Sequence, residues 1–196
     1  NTGYYITSTA RIELMIETMR NTTGGETYAR YAFGASSGPD YFPSAMNTCL
    51  SDDTNGPRTF INDTQRSPGQ DMMDVEYGSP EWEYIANNRY WYDHGKTLFV
   101  LDGSTLTYET EDGEIGYTLD CRADRIDCEY PMYIFGVNCS GNIADGSGYY
   151  ANTPHVAQMR FYYMKVWEGS ELVHWYVPIA RSNDTSRSAE RRVGKE

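Results

Sequence analysis

The sequence predicts an all-β chain folded as a two-sheet antiparallel sandwich or barrel, and three observations carry that prediction. Tyrosine and glycine each occur 18 times in 196 residues. With abundant threonine, this favours pleated strands and turns over helices, which prefer Ala, Leu, Glu and Lys. About ten short runs alternate apolar with polar residues between turn signals. No stretch offers apolar positions sustained at helical spacing and bounded by caps, so a helix count near zero is expected.

Taken in order, residues 11–17 place Ile12, Leu14 and Ile16 on one face and Arg11, Glu13 and Glu17 on the other, the period of a half-buried strand. Residues 21–26 supply a turn and 28–35 a second strand ending near Gly34. Residues 36–58 are rich in Ser, Asp, Asn, Gly and Pro and read as a long loop with at most a short strand. Residues 59–62 and 74–77 are short strands, and 82–86 with 89–92 extend an aromatic-rich middle. Asp102-Gly103 and Asp112-Gly113 then separate the runs 97–101, 105–110 and 115–119. Asp-Gly supports the positive φ angles of tight hairpin turns, so these runs form a three-stranded meander. Residues 132–137 are a further strand, followed by a Gly, Asn and Ser loop over 138–152. The last hairpin joins 158–167 to 172–178. On its first strand Phe161 and Tyr163 are expected on one sheet face, Met164 and Val166 on the other.

The length suits one domain, and 39% hydrophobic residues suffice for a core. A net charge of −12 disfavours nucleic acid, whose phosphates require a basic footprint. The longest apolar runs fall far short of the roughly 20 residues of a membrane-spanning helix, so no membrane insertion is expected. The chain opens at Asn1 with no initiator Met and no signal-peptide pattern, and is expected to be truncated. Cys49, Cys121, Cys128 and Cys139 permit three pairings and form no CxxC motif. A bridge between Cys121 and Cys128 would close a hairpin loop and leave Cys49 for Cys139, implying an oxidising compartment. Four buried thiols are the alternative.

Residues 187–196, RSAERRVGKE, break the pattern. They match nine of ten positions of RSEERRVGKE, the translation of a common sequencing adapter, and depart only at Ala189. They are therefore expected to be a non-native, disordered tail, outside a domain spanning 1–186. Without their four basic and two acidic residues, 12 basic and 26 acidic side chains remain, a net of −14.

Residues 159–181, MRFYYMKVWEGSELVHWYVPIAR, resemble the closing motif RIYxFKIYxxGxLVxxFVPxR of a laminin-G-like family in the concanavalin A-like superfamily. YITSTARIEL (5–14), YAFGA (31–35), FVLDG (99–103) and PMYIFGVN (131–138) fall in the order the family uses. The resemblance covers residues 4–181. It implies a two-sheet antiparallel jelly-roll sandwich from bacterial surface or phage-like proteins. The family continues past Arg181 through a run that Ser182, Asn183 and Asp184 begin, so its terminal strand is expected to be missing.

The same superfamily includes laminarinase-type glycosidases, whose paired carboxylates occupy a bulged strand. Here the nearest segment is DMMDVE (71–76), with Met72 at the nucleophile position. A thioether cannot attack an anomeric carbon, so the chain is expected not to be an enzyme. His94, His155 and His174 show no HxxxH zinc spacing. The resemblance raises calcium at a sandwich rim, with Asp71 and Asp74, Asp52 and Asp53, or Asp124 and Asp127 as candidate pairs. The competing reading is solvated loop acidity. Sugar rings stack their C–H faces on aromatic side chains while amides and carboxylates bond their hydroxyls. Trp82, Tyr84, Asn88, Tyr90, Trp91, Tyr92 and Asp93, with Tyr149 and Tyr150, are therefore the expected ligand-binding residues, against a reading in which Tyr90 and Tyr92 pack the core. Together these features predict a non-catalytic, extracellular module of a larger surface protein or virion that binds a glycan or cell-surface receptor. The alternative is a structural or receptor-contacting module of a phage tail or adhesin. Sequons at Asn21, Asn62, Asn138 and Asn183 mean little in a bacterial or phage source.

Overall fold

The computed structural model describes residues 2–18, 30–36, 46–53, 56–62, 64–91, 94–134, 137–139, 142–144, 159–178 and 188–191. It is predominantly β. The strands are β1 (Ala10–Thr18), β2 (Arg30–Ser36), β3 (Met46–Asp53), β4 (Gly56–Ile61), β5 (Thr64–Arg66), β6 (Lys96–Asp102) and β7 (Thr105–Thr110). They continue with β8 (Gly116–Asp120), β9 (Tyr133–Ile134), β10 (Val137–Cys139), β11 (Asn142–Ala144), β12 (Met159–Glu168), β13 (Glu171–Pro178) and β14 (Ser188–Arg191). Between β5 and β6 lie one helical turn, α1 (Pro68–Asp71), and a helix, α2 (Pro80–Asn88).

One sheet runs β14-β13-β12-β1-β6-β7-β8 with every neighbour antiparallel. The other runs β11-β10-β2-β3-β4-β5, with β9 also against β2. In this second sheet β10 lies parallel to β2 and the other pairs are antiparallel.

β1 sits at the centre of the first sheet. Its inward row Ile12, Leu14 and Ile16 faces Leu101, Phe99 and Thr97 of β6 on one side, and Val166, Met164 and Phe161 of β12 on the other. All nine side chains are buried. The register between β1 and β12 shifts at Met15/Ile16, so Tyr162 is an extra residue in the ladder. That bulge corrects the simple alternation expected for β12: Phe161 and Met164, three apart, both turn inward. Ala32, Phe33, Ala35 and Ile61 of the second sheet join the same buried cluster. Two sheets sharing one core give a sandwich-like all-β architecture.

The three-stranded meander forms as the two Asp-Gly pairs dictate. Gly103 (φ 53°) and Gly113 (φ 71°) hold the left-handed backbone that side-chain-bearing residues resist. Elsewhere the expectations need correction. Residues 80–88 are helical, because Ser79 caps the first turn and Pro80 occupies its start. Residues 74–77 are turn rather than strand. The expected long loop contains β3 and the first residues of β4, whose remainder was expected as a strand; the ladders of β3 to β2 and to β4 are made by backbone groups despite polar side-chain composition. Ser188–Arg191, expected to be disordered outside the fold, pairs with β13 as the outermost strand. The open edge of β13 offers unpaired backbone groups to any extended segment within reach, whatever its origin.

Cys121 and Cys128 are both buried, and no bond joins them. Arg125, between them, ties their loop to the segment that leads into β1. Its buried guanidinium donates to the carbonyls of Thr7 (2.8 Å) and Ala10. Burial pushes the Cys121 thiol up to about 12, so little thiolate forms at neutral pH. Alkylation in denaturant without reductant, read by mass spectrometry, should tag both residues; a linked, untagged pair would restore the bridge. The side chains of Cys49 and Cys139 lie outside the described residues.

Trp91, expected at the ligand site, is 1% exposed and meets Phe99 edge-on at a centroid distance of 4.8 Å. It is a core residue. Trp91→Ala should cost about 3–5 kcal/mol in urea-unfolding measurements; a loss below about 1 kcal/mol would place the indole outside the core.

Candidate functional site

Of the exposed aromatics at the described surface, Tyr77 lies just before α2 and Tyr84 on it, while Tyr5 lies ahead of β1. Ser79 Oγ accepts the Trp82 N–H at 3.1 Å, and Glu81 and Glu83 lie in the first turn, where the positive end of the helix dipole favours carboxylates. Ile85 is buried and anchors the inner face of the helix. Asn88 fastens its end to the sheet: its Nδ2 donates to the Tyr84 carbonyl at 2.9 Å, and its Oδ1 accepts the Gly116 N–H at 2.9 Å. Tyr108 Oη donates to the Asn88 carbonyl at 2.9 Å, and Tyr84 Oη donates to the Gly116 carbonyl at 3.1 Å. Helix α2 is thus held against β7 and β8 by a closed hydrogen-bond set.

Met73, Tyr77 and Tyr84 are the most exposed large apolar side chains on this face, with Tyr77 83% accessible. Tyr77 meets half-buried Trp82 edge-to-face, with centroids 4.7 Å apart. Tyr84 in turn lies 5.9 Å from Tyr117 of β8. Exposed Glu83 and Asn87 stand one turn apart on the same helix.

Beneath the aromatics runs a charged network. Arg66 pairs with Asp71 and, at 3.2 Å, with Asp74; Arg122 reaches Asp74 at 2.8 Å and Asp71 at 3.8 Å. Arg122 has φ 55°, a left-handed conformation steadied by its N–H donating to Asp120 Oδ1 at 2.8 Å. Tyr117 Oη donates to Asp71 Oδ2 at 2.8 Å, and burial first, then this bond to a carboxylate, raises the phenol above its ordinary range. Hydrogen bonds from Arg66 and then Arg122 hold Asp74 below the usual carboxylate range.

The expected ligand residues therefore separate. Tyr84 is exposed and Trp82 half-buried, on different sides of α2. Asn88 spends both ends of its amide fastening the helix. Tyr90 is half-buried with the Arg89 guanidinium 4.3 Å from its ring centroid, and Trp91 is core. Tyr92, Asp93, Tyr149 and Tyr150 lie outside the described residues. Tyr77, which sequence reasoning missed, pairs with Trp82, and Met73 is exposed before it. The YGSP run at 77–80, a helix entry with Pro at its first position, was the signal available for Tyr77. At Asp71 and Asp74, the pair expected for calcium, Arg66 and Arg122 engage Asp71 Oδ1 and Asp74 Oδ2. In the DMMDVE segment Asp71 ends α1, and 72–76 run through turn and bend rather than strand.

No family model matches the chain, and the comparisons with curated proteins and with solved structures give no match. No helix among the described residues is long and apolar enough to cross a membrane.

The lowered Asp74 value fixes the sign of its pH response. A carboxylate depressed in the fold contributes stability above its unfolded value of about 3.9, and that contribution disappears as pH falls through the lower folded value. In an NMR titration Asp74 should titrate below an unstructured aspartate, and Arg122→Met should move its midpoint upward. An unchanged midpoint would remove Arg122 from the network.

Proposed function

We propose that the chain is a non-catalytic carbohydrate-binding module displayed outside the cell, and that its fold is a jelly-roll sandwich of the concanavalin A-like, laminin-G-like kind. The edge-to-face pair of exposed Tyr77 and half-buried Trp82, at the start of a helix whose position is fixed by hydrogen bonds, is the observation that carries this reading. Exposed rings set at an angle offer a sugar two apolar surfaces, and the neighbouring Glu83 and Asn87 supply an acceptor and an amide for its hydroxyls. Because Asn88 and the Tyr84 hydroxyl already hold the helix in place, little ordering cost remains when a ligand docks. The closing hairpin and the order of upstream motifs, which resemble the laminin-G-like family, agree with this role.

A glycan array read with the full chain tests the proposal. Saturable binding to a defined glycan is expected, with Trp82→Ala or Tyr77→Ala weakening it about tenfold, equal to about 1.4 kcal/mol. Both side chains lie at the surface, so circular dichroism of the variants should match the parent. Silence across the array, accompanied by self-association, would favour a structural module of an adhesin or phage tail instead. Release of sugar from a β-glucan that survives Trp82→Ala would replace binding with hydrolysis.

A further inference from the structure

A second cluster of chemistry lies at the end of the β6–β7 hairpin remote from Asp102-Gly103. Thr97 pairs with Thr110 across that hairpin, so the bend before β6 and the turn after β7 emerge side by side. The bend carries His94 and the turn carries Asp112 and Glu114. His94 Nδ1 lies 3.4 Å from Asp112 Oδ2 and 3.4 Å from Glu114 Oε2. One donor atom from each of the three residues falls within 4.8 Å of the others.

The positions are set from below. Asp112 Oδ1 accepts from Thr110 Oγ1 at 2.5 Å and from the Glu114 N–H at 3.1 Å, leaving Oδ2 for His94. Thr110 is itself buried and accepts the Ile115 N–H at 3.1 Å. On the other side, the His94 N–H donates to the carbonyl of core residue Trp91 at 3.3 Å.

The charge balance differs from that at Asp71 and Asp74, where the chain supplies Arg66 and Arg122. Among the described residues, no lysine or arginine lies within ion-pairing distance of Asp112 or Glu114; nearby Lys96 pairs with Glu111 at 3.0 Å. Two carboxylates converge on a single imidazole, a base that can ligate a metal only when neutral. The spacing suits an ion between the groups. Metal–ligand bonds of about 2.0–2.1 Å in a tetrahedron separate neighbouring donor atoms by about 3.3 Å. The nitrogen donor selects against calcium, which takes six to eight oxygens, and for a borderline ion.

We propose that His94, Asp112 and Glu114 bind a zinc-class divalent cation, with the imidazole Nδ1 and one oxygen of each carboxylate as protein ligands and water completing the shell. Second-sphere support comes from Thr110 through Asp112 Oδ1. The site stands apart from the aromatic face and does not depend on sugar binding.

Isothermal titration of the full chain with zinc chloride at pH 7.5 tests this. One saturable site is expected, weakened at least tenfold by His94→Ala and by Glu114→Gln. The second variant alters only an exposed side chain and so leaves the fold intact. Zinc-dependent shifts of the His94 ring signals in NMR should saturate at the same ratio. Absence of saturable heat, equal binding by parent and both variants, or a calcium response that matches zinc and is lost in His94→Ala would each overturn the proposal.

Discussion

Phe99, Tyr108 and Tyr117 are cross-strand partners in two consecutive ladders, and the position of nearly everything at the surface site follows from their register. Their rings meet at 5.6 and 6.0 Å, with Trp91 beyond one end and Tyr84 beyond the other. A slip of one residue in either ladder would turn a ring to the opposite sheet face and break this line. Tyr108 also carries a hydroxyl into the core, where it needs a partner, and the Asn88 carbonyl at the end of α2 is the one it finds. Burial lifts the Tyr108 phenol far above its ordinary range, so it stays a donor at any physiological pH. The requirement to satisfy one buried oxygen therefore ties the helix that bears Trp82 to the meander.

The acidic character of the chain resolves into distinct local solutions. Asp71 and Asp74 are matched by arginines from β5 and from the segment after β8. Glu168 is matched by hydroxyls: Tyr4 Oη donates at 2.5 Å, Thr7 Oγ1 at 2.8 Å and Thr9 Oγ1 at 3.1 Å. That carboxylate gathers the segment ahead of β1 onto the tip of the β12–β13 hairpin. Backbone bonds from Thr2 to Met132 and from Cys128 to Ile6 then lay the same segment along residues 128–132.

What could be read from the chain, and what could not, follows from the range of the forces involved. β1, the Asp-Gly meander and the closing hairpin were legible because period-two alternation and turn chemistry are local. β3 was hidden because its pairing is carried by backbone groups, which leave no side-chain pattern in NTCLSDD. Asn55-Gly56, a strong hairpin signal, was nevertheless present. α2 was misread because Trp82 and Tyr84 raise strand propensity, while the decisive Ser79-Pro80 cap weighs little in an aromatic count. At the site, aromatic richness was visible, but the division between exposed Tyr84 and buried Trp91 was not. Only the loop path between α2 and β6 decides which ring turns inward. The partners of Asp74 were equally illegible, since Arg122 lies 48 residues away and arrives through the β8 edge.

The central place of β1 has a mechanical consequence. A pull on the chain ahead of Ala10 is delivered to a strand bonded on both sides, with β12 and β6 each running antiparallel to it. Extracting it requires two ladders to yield, and the inward row Ile12, Leu14 and Ile16 to leave the core with them. A pull from the other end meets β14 and β13 at the sheet margin, where bonds can open in succession. The domain is therefore anisotropic under load, stiff toward its first strand and compliant toward its last, and the direction from which tension arrives decides how much of it holds.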